Sequence, residues 1–436
     1  MSARTRLSQF GRQEDGAITV LALYLFLTVL LIGGLSIDYN KLNAERAKLQ
    51  ATADSVAHAA LVDRRFADGP SEAKDTALVI AATMLPAGYY GNALQETDIQ
   101  FGIWDEDTLT FAADNDSKDA VQVDASQLAS RDNSISNYLL HMVGVDAFDA
   151  VETAVFATFL DPCFVNGFAA NGVVDVQSNN SYFDQFCIHS NSYVKLNLNN
   201  YFGPEVKVSM PDLAKLELPE SGMENNEGLA DALYEGSRPL PVIDQLEEII
   251  ADLALVQGDY LPDYITATAP NVVTGVKKIT MADLQKNAVN IVSCTGSKMT
   301  LDNDIYSEVV IVTDCEISFG GTAAVEDAIV ATTHTGSMSL NSSASFRIGK
   351  DDNCAKGGGA SLLTLGSFSS SADMQVYGSQ IIAKQNIDFA ANATGVEGAS
   401  LIAGGDIDST SNMSMGFCPG EPDDGSIIVK SVRMVL

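Results

Sequence analysis

Basic charge is scarce in this 436-residue chain: 25 lysines and arginines stand against 57 aspartates and glutamates, a formal net charge of −32. A nucleic-acid binder needs a concentrated cationic face to displace counterions from phosphates, and none can be drawn here, so nucleic acid is not an expected partner. Histidine is rare, with only His58, His141, His189 and His334, and no cysteines form a CxxC pair. Zinc and iron–sulfur sites are therefore poorly supported. The glycine runs at Gly320-Gly321 and 357–359 lack the Lys-Ser/Thr that closes a phosphate cradle, and read as tight corners. A β-helix-type polysaccharide lyase or hydrolase is the enzyme reading to weigh. Asp302, Asp304, Asp314, Glu316, Asp351 and Asp352 are its acidic candidates and Arg347 or Lys350 could neutralise a charged sugar, but no spacing singles out an acid–base pair. Asp114, Asp116 and Asp119, or Asp302 and Asp304, fall short of a full calcium loop and read as acidic turns. No cofactor and no catalysis are expected. The acidity suits an exposed, soluble body.

What the chain does have is one long apolar run. Residues 17–37 are 21 residues without a charge, enough at 1.5 Å per residue to cross roughly 30 Å of hydrocarbon. A cleaved signal peptide is the alternative, since Gly33, Gly34 and Ser36 are small. The run is long for that, and the polar continuation through Asp38, Lys41, Glu45, Arg46 and Lys48 has no helix breaker. Arg4, Arg6 and Arg12 before the run balance Lys41, Arg46 and Lys48 after it, so the positive-inside rule does not orient the span. The short tail on one side and the large cysteine-bearing portion on the other favour export of the latter.

Beyond the span, Leu42, Leu49, Ala53, Val56, Ala57, Ala60 and Leu61 recur at helical spacing, with Ala44, Ala47, Ala51 and Ala59 small enough for another backbone to approach. This predicts a stalk helix over 38–66. A second helix is expected over 71–85 with Ser71 as N-cap. Short strands over 97–104, 108–112 and 120–124, a helix over 130–143 and a strand over 149–159 complete a small α/β (α+β) domain. Trp104, the single tryptophan, reads as a core residue of its sheet, with ligand binding as the other reading.

From Cys163 the pattern becomes short strands with polar corners, too frequent for ordinary hairpins. Stacked parallel strands suit it better: inward Val, Ile, Leu, Ala and Ser, with Asn, Gly and Asp at the corners. A Greek-key sandwich stays open as the competitor. The six cysteines, Cys163, Cys187, Cys294, Cys315, Cys354 and Cys418, are candidate disulfide partners in an exported segment. Cys163 and Cys187, and Cys294 and Cys315, are about one turn of such a stack apart and are expected to face each other. Cys354 and Cys418 would span about three turns or join a cap, and buried free thiols are the alternative. A Cys187–His189 nucleophile pair is conceivable, but a disulfide would disarm it. The rhythm stops over 212–280, where apolar helical spacing in 241–257 suggests an excursion lying along the strands or offering a contact surface.

The expected fold is thus mixed: an N-terminal transmembrane helix with an α/β (α+β) domain, then a mainly parallel, right-handed β-helix-like domain with a helical excursion. Its divisions are a tail over 1–16, the span over 17–37, stalk and small domain over 38–160, a first stack over 161–211, the excursion or linker over 212–280 and the main stack over 281–436.

Around the span, Phe10, the Asp15-Gly16 pair, Asp38, Leu49-Gln50 and Ala53-Asp54 stand in an order that resembles the TadE/TadG-like pilus-assembly proteins, particularly the TadG-like branch. FGIWDEDTLTF, residues 101–111 and including Trp104, looks like a sheet element downstream in these proteins, and the resemblance covers about the first 160 residues. It implies a bacterial inner-membrane protein with a cytoplasmic N-terminus and a periplasmic body, associated with assembly or anchoring of Flp-type tight-adherence pili. TadE-like relatives are cleaved after a glycine that has glutamate five residues on; here Gly16 is followed at that distance by Leu21, which argues against such processing. Implied partners are pilus-assembly or secretion-system proteins of the inner membrane and periplasm. The alanine-rich stalk allows self-association, and glycans would be partners if the body is instead a carbohydrate-binding or adhesion module. Asp38 reads either as an interfacial cap or as a contact with a neighbouring subunit, and Asp54 as a solvated helix residue or a contact.

Overall fold

The computed structural model describes residues 15–65, 67, 69–342, 345–353, 355–416, 418 and 426–436. They form two compact units, one ending at Phe159 and completed by Val432–Leu436, the other comprising Leu160–Ser431.

The first unit is organised by one continuous helix, α1 (Asp15–Arg64). Its N-terminal half is the charge-free run, and its side chains there are exposed from Ile18 onward apart from Gly34. A segment long and apolar enough to cross a bilayer is thus present once, at the start of the chain, among the described residues. The C-terminal half buries Leu49, Ala53, Val56, Ala57, Ala60 and Leu61, the face that the helical spacing marks out. Helix α2 (Pro70–Met84) contributes Ala73, Ala77 and Ala81 to the same core. It starts one residue earlier than expected: Pro70 sits in its first turn, and the N-cap position falls to Gly69, not Ser71. Proline suits that place because its missing N–H would have no helical partner.

Both helices cover a five-stranded sheet. Its strands are β1 (Ile99–Asp105), β2 (Thr110–Ala113), β3 (Ala120–Gln127) and β6 (Ala150–Phe159), in the order β2-β1-β3-β6, with Ser431–Met434 beyond β6. That last strand corrects the sequence reading, which left it in the C-terminal stack; Val435 and Leu436 N–H donate to Val155 O, continuing the attachment. The helix expected over 130–143 is also absent. In its place a two-residue hairpin, β4 (Ile135–Ser136) with β5 (Ala147–Phe148), carries a single 3-10 turn, Leu140–Val143. Ile135, Leu139, Met142 and Val143 recur at helical spacing here, but Asp38 takes the backbone N–H groups of 138–140 that a helix would need.

The second unit is an array of short parallel strands in three ladders. Ladder A runs, neighbour to neighbour, through Leu233–Glu235, Lys207–Met210, Cys187–Ser190, Gly167–Ala170, Ser400–Ala403, Gln380–Ala383, Ala360–Thr364 and 328–332, then 309–313, Val289–Cys294 and Asn271–Val276. Ladder B runs from Val194–Leu196 through Val174–Val176 and Ile407–Ser409 to Lys298–Leu301 and Lys278–Ile279. Ladder C runs from Tyr201–Phe202 through Ser181–Tyr182 and Ser414–Gly416 to the first residues of Ile305–Thr313.

The order along these ladders is not the order along the chain. Residues 167–210 pair on one side with one another and on the other with 400–416, so the first strands of the unit adjoin the last. This seam is in register in all three ladders, and Phe168 meets Phe186 on one side and Phe389 across the seam on the other, with ring centroids 5.2 and 5.7 Å apart. The core is continuous there, drawing on side chains from all three ladders.

Having reached one end of ladder A at Leu233–Glu235, the chain must return to the other end at Asn271–Val276. Eleven strands at about 4.8 Å spacing set those ends roughly 48 Å apart. Residues 236–270 make the crossing over the outer face of ladder A. Val242, Ile243, Leu246, Ile249, Ile250 and Leu253 form a second core with Ala169, Val310, Ile329, Leu363, Ile382 and Ile402. At Gly404 a Cβ would lie 2.3 Å from Lys384 O of the neighbouring turn and 2.9 Å from the Ile243 side chain, so glycine admits both that backbone and the strap there. Covered on both sides, ladder A strands such as Ala360–Thr364 and Ser400–Ala403 are buried at every position, whereas ladder B strands such as Val174–Val176 alternate.

Candidate functional site

Of the residues singled out around the membrane run, Asp38 is at the centre of a constellation in the first unit. Asp38, at the polar end of the run, is fully buried. Its carboxylate accepts the backbone N–H groups of Tyr138, Leu139 and Leu140 at 2.6, 3.0 and 2.7 Å. Burial disfavours the charge, but these three donors and Lys41 outweigh it and hold the carboxyl below its ordinary range. Asp38 is therefore a cap, though one for a loop a hundred residues away.

Neighbouring helix positions strengthen this grip. Gly34 lies against Leu139, whose Cβ would be 3.0 Å from a Cβ at that glycine. Lys41 Nζ donates to Ser136 O at 2.6 Å and lies 4.1 Å from the Tyr138 ring centroid. Farther along, Glu45 accepts from the Tyr89 hydroxyl at 3.2 Å, Arg46 pairs with Glu152, and Lys48 lies over Tyr90. Gln50 Nε2 donates to Asp54 Oδ1 at 2.8 Å and to Thr153 O at 3.2 Å, so Asp54 steadies the residue that holds β6. Charged positions that look like a solvated helix face are largely fastenings between the stalk and the sheet, hairpin and turns of its own unit. Ala44, Ala47 and Ala51 stay exposed and Ala59 is half-buried.

Other candidates fall elsewhere. Asp15 and Gly16 are the first residues of α1, while Phe10 and Cys354 lie outside the described residues. Trp104, expected in the core, is only half-buried: it pairs with Phe111 in the β1–β2 hairpin and lies on the face of β1 opposite Ile99 and Phe101. Cys163 is bonded to Cys187 and Cys294 to Cys315, with Cα atoms 5.0 and 6.3 Å apart, and Cys418 is disulfide-bonded as well. His189 is buried with Nδ1 2.7 Å from Ser209 Oγ and Nε2 3.0 Å from Asn191 Oδ1, and burial lowers its pKa. The only cluster of metal-ligand types among the described residues, Cys294, Asp314 and Cys315, has both sulfurs tied up in the disulfide. The acidic turns serve the chain itself: Asp114 accepts from the Asp116 N–H, Asp302 pairs with Lys278 and Asp304 accepts from the Met281 N–H.

Two features of the second unit were missed in the sequence. Asn180, Asn200 and Asn226 are buried at one corner, where Asn180 N–H donates to Asn200 Oδ1 and Asn200 N–H to Asn226 Oδ1. The series crosses the seam, since Met413 N–H donates to Asn180 Oδ1 at 2.9 Å. The signal was the Asn-Asn pair at 179–180 repeated at 199–200. On ladder B, Asp388, Asp408 and Asp175 stand in adjacent strands in register, followed by Lys195, which pairs with Asp175. Desolvation by the neighbouring strands and its two acidic neighbours raise the pKa of Asp408, exposed though it is.

Residues 167–419 match the model of a family described as a domain of unknown function (DUF7867). The match begins on Gly167–Ala170, the strand of ladder A that comes first in the chain, and takes in more than half of the chain. The chain belongs to the DUF7867 family. Within it, the DUF7867 region coincides with the three ladders and the strap. Residues 16–67 match a second model, described as Flp pilus-assembly TadE/G-like. This second match lies on α1 and supports the resemblance at the level of the Tad proteins, without separating the TadG-like branch. No curated protein and no solved structure matches the chain.

Proposed function

We propose that the chain is a membrane-anchored structural or assembly component of a Flp/Tad-type pilus system, of the TadG-like branch, with a cytoplasmic N-terminus and both units in the periplasm. The observation that carries this reading is the TadE/G-like match over the one helix, among the described residues, that is suited to cross a membrane. Disulfides in the second unit support an oxidising compartment for it. We read the three ladders as faces of a right-handed parallel β-helix, because parallel crossovers are almost always right-handed and the ladders share one interior.

The role is mechanical, not catalytic. The span anchors, the clamp at Asp38 couples the helix to its domain, and the DUF7867 body contacts pilus-assembly or secretion proteins. The open face at Ala44, Ala47 and Ala51 is small enough to admit the stalk helix of a second copy. Crosslinking of the intact protein in membranes, followed by mass spectrometry, tests this: Tad-type secretion components are the expected adducts. Adducts confined to glycans or glycan-processing proteins would favour an adhesion or carbohydrate-binding module instead. Release of the full-length chain by alkaline carbonate, or a cytosolic reporter signal at its C-terminus, would refute the anchored topology.

A further inference from the structure

The loop clamped by Asp38 is itself unusually apolar and open. Tyr138 is 59% exposed, Met142 69%, Val143 54% and Val145 40%. Four such side chains within eight residues are costly to leave in water, and yet the segment is not loosely held. The β4–β5 pair closes its base, Asn137 N–H donates to Asp146 O at 2.9 Å, and Asn137 Nδ2 donates to Val145 O at 2.9 Å. The turn presents its apolar residues in a defined place.

Contacts along α1 show where that place is. Ser136 meets Lys41, the N–H groups of 138–140 meet Asp38, and Leu139 meets Gly34. As the loop leaves its hairpin it therefore descends along the helix toward the apolar run. Gly34 lies four residues inside the run from Asp38, about 6 Å along the axis. A loop that touches Gly34 has reached the level at which the spanning helix leaves hydrocarbon.

We propose that residues 138–145 form a second membrane contact, a loop that inserts shallowly into the lipid interface beside the span. Its occupant is the bilayer surface, because the loop is continuous with the lipid-facing surface of α1. Tyr138, together with Tyr39 on the helix, 57% exposed, supplies the amphipathic rings favoured at that depth. Met142 and Val143 supply the apolar tip, at roughly 5–10 Å into the headgroup and acyl boundary. Three backbone hydrogen bonds to Asp38 hold the turn in this pose. With two contacts instead of one, the first unit is restrained from swivelling about the helix axis.

The proposal rests on the spanning assignment, and the experiment separates the two. Because Trp104 is the only tryptophan, a Trp104→Phe background allows single reporters at Met142→Trp, at Leu27→Trp in the span and at Leu109→Trp in the β1–β2 turn. The full-length chain is reconstituted in phosphatidylcholine vesicles whose acyl chains are brominated either near the headgroup or near the bilayer centre. The reporter at 142 is expected to emit to the blue of that at 109 and to lose more intensity to shallow bromines than to deep ones. The reporter at 27 is expected to be quenched more by deep bromines, and the one at 109 by neither. If 27 is quenched while 142 behaves like 109, the loop contact is wrong and the span stands. If 142 is blue-shifted but unquenched, and reverts when protein is diluted in lipid, a second copy covers the loop and the proposal fails. If 27 is unquenched, the span and the loop contact fall together.

Discussion

In the N-terminal unit one sheet hides its apolar face under two helices, and the polar residues of α1 act as separate fastenings to that sheet and its loops. In the second unit the ladders hide one another's inner faces, and their corners repeat the same bonds from rung to rung. The first arrangement concentrates its specificity in a few unlike contacts, with Asp38 the most buried of them. The second spreads it over many like ones. A defect in the first should therefore be local, while a defect in the second should propagate to the rungs above and below.

The sharpest way to break this contrast is at the seam. Phe168→Ala removes a ring packed on Phe186 and, across the seam, on Phe389, and should cost about 3–5 kcal/mol. Hydrogen exchange should accelerate in 167–210 and in 387–416 together, although the two stretches are far apart in the chain. Acceleration in 167–210 alone would mean that the seam does not couple the two ends.

Next in size is the asparagine corner. Asn200→Ala leaves the buried Asn180 N–H without its acceptor, and about 1–3 kcal/mol should be lost in chemical denaturation. Asn179 and Asn199 both have φ of 62°, a left-handed conformation that asparagine tolerates well, so Asn199→Val should also destabilise, by strain instead of by a lost bond.

In the first unit, Asp38→Asn should speed amide exchange at 138–140 by roughly tenfold, the equivalent of one net hydrogen bond, with little change in the strands of the second unit. The pH dependence has a definite sign. The carboxyl is held below its unfolded value, so the clamp is present at neutral pH and is lost as pH falls through that lowered value. Protection of these three amides should persist below the pH at which ordinary carboxylates titrate.

The smallest effect runs the other way. Asp408 sits between Asp388 and Asp175 with its pKa raised. Its ionised form is disfavoured in the fold, so native stability is gained as pH falls through the raised value and lost as pH climbs through it. Asp408→Asn should stabilise the second unit at neutral pH by a few tenths to about 1 kcal/mol, an effect reduced by salt because the residue is exposed.

These contrasts also mark what could be read from residues alone. Local periodicity was legible: the apolar run, the alternation of ladder B strands, the apolar face at Leu246, Ile249, Ile250 and Leu253, and the two closest cysteine pairs at one-turn spacing. The partner of Asp38 was not, since a carboxylate after an apolar run says nothing of which N–H groups it will meet. Residues 130–143 misled because apolar spacing identifies a face without saying whether the backbone is free to coil behind it. Trp104 misled in another way: its size suggested a core, but three positions along β1 from Phe101 it falls on the other face of the sheet from Ile99 and Phe101, which fill the core.

Composition and spacing by themselves determined that one segment of this chain suits hydrocarbon, that the chain carries a large excess of acidic side chains, and that much of it forms short strands with polar corners. Those properties depend on each residue's own transfer free energy and on neighbours a few positions away. Only the tertiary structure decided that strands 233 residues apart adjoin at the seam, that the last strand leaves the ladders for the N-terminal sheet, and that an apolar loop descends beside the span. Each of those outcomes is a choice among many edges and faces of similar local chemistry. It is settled by which complete set of backbone hydrogen bonds and buried side chains can be satisfied at once.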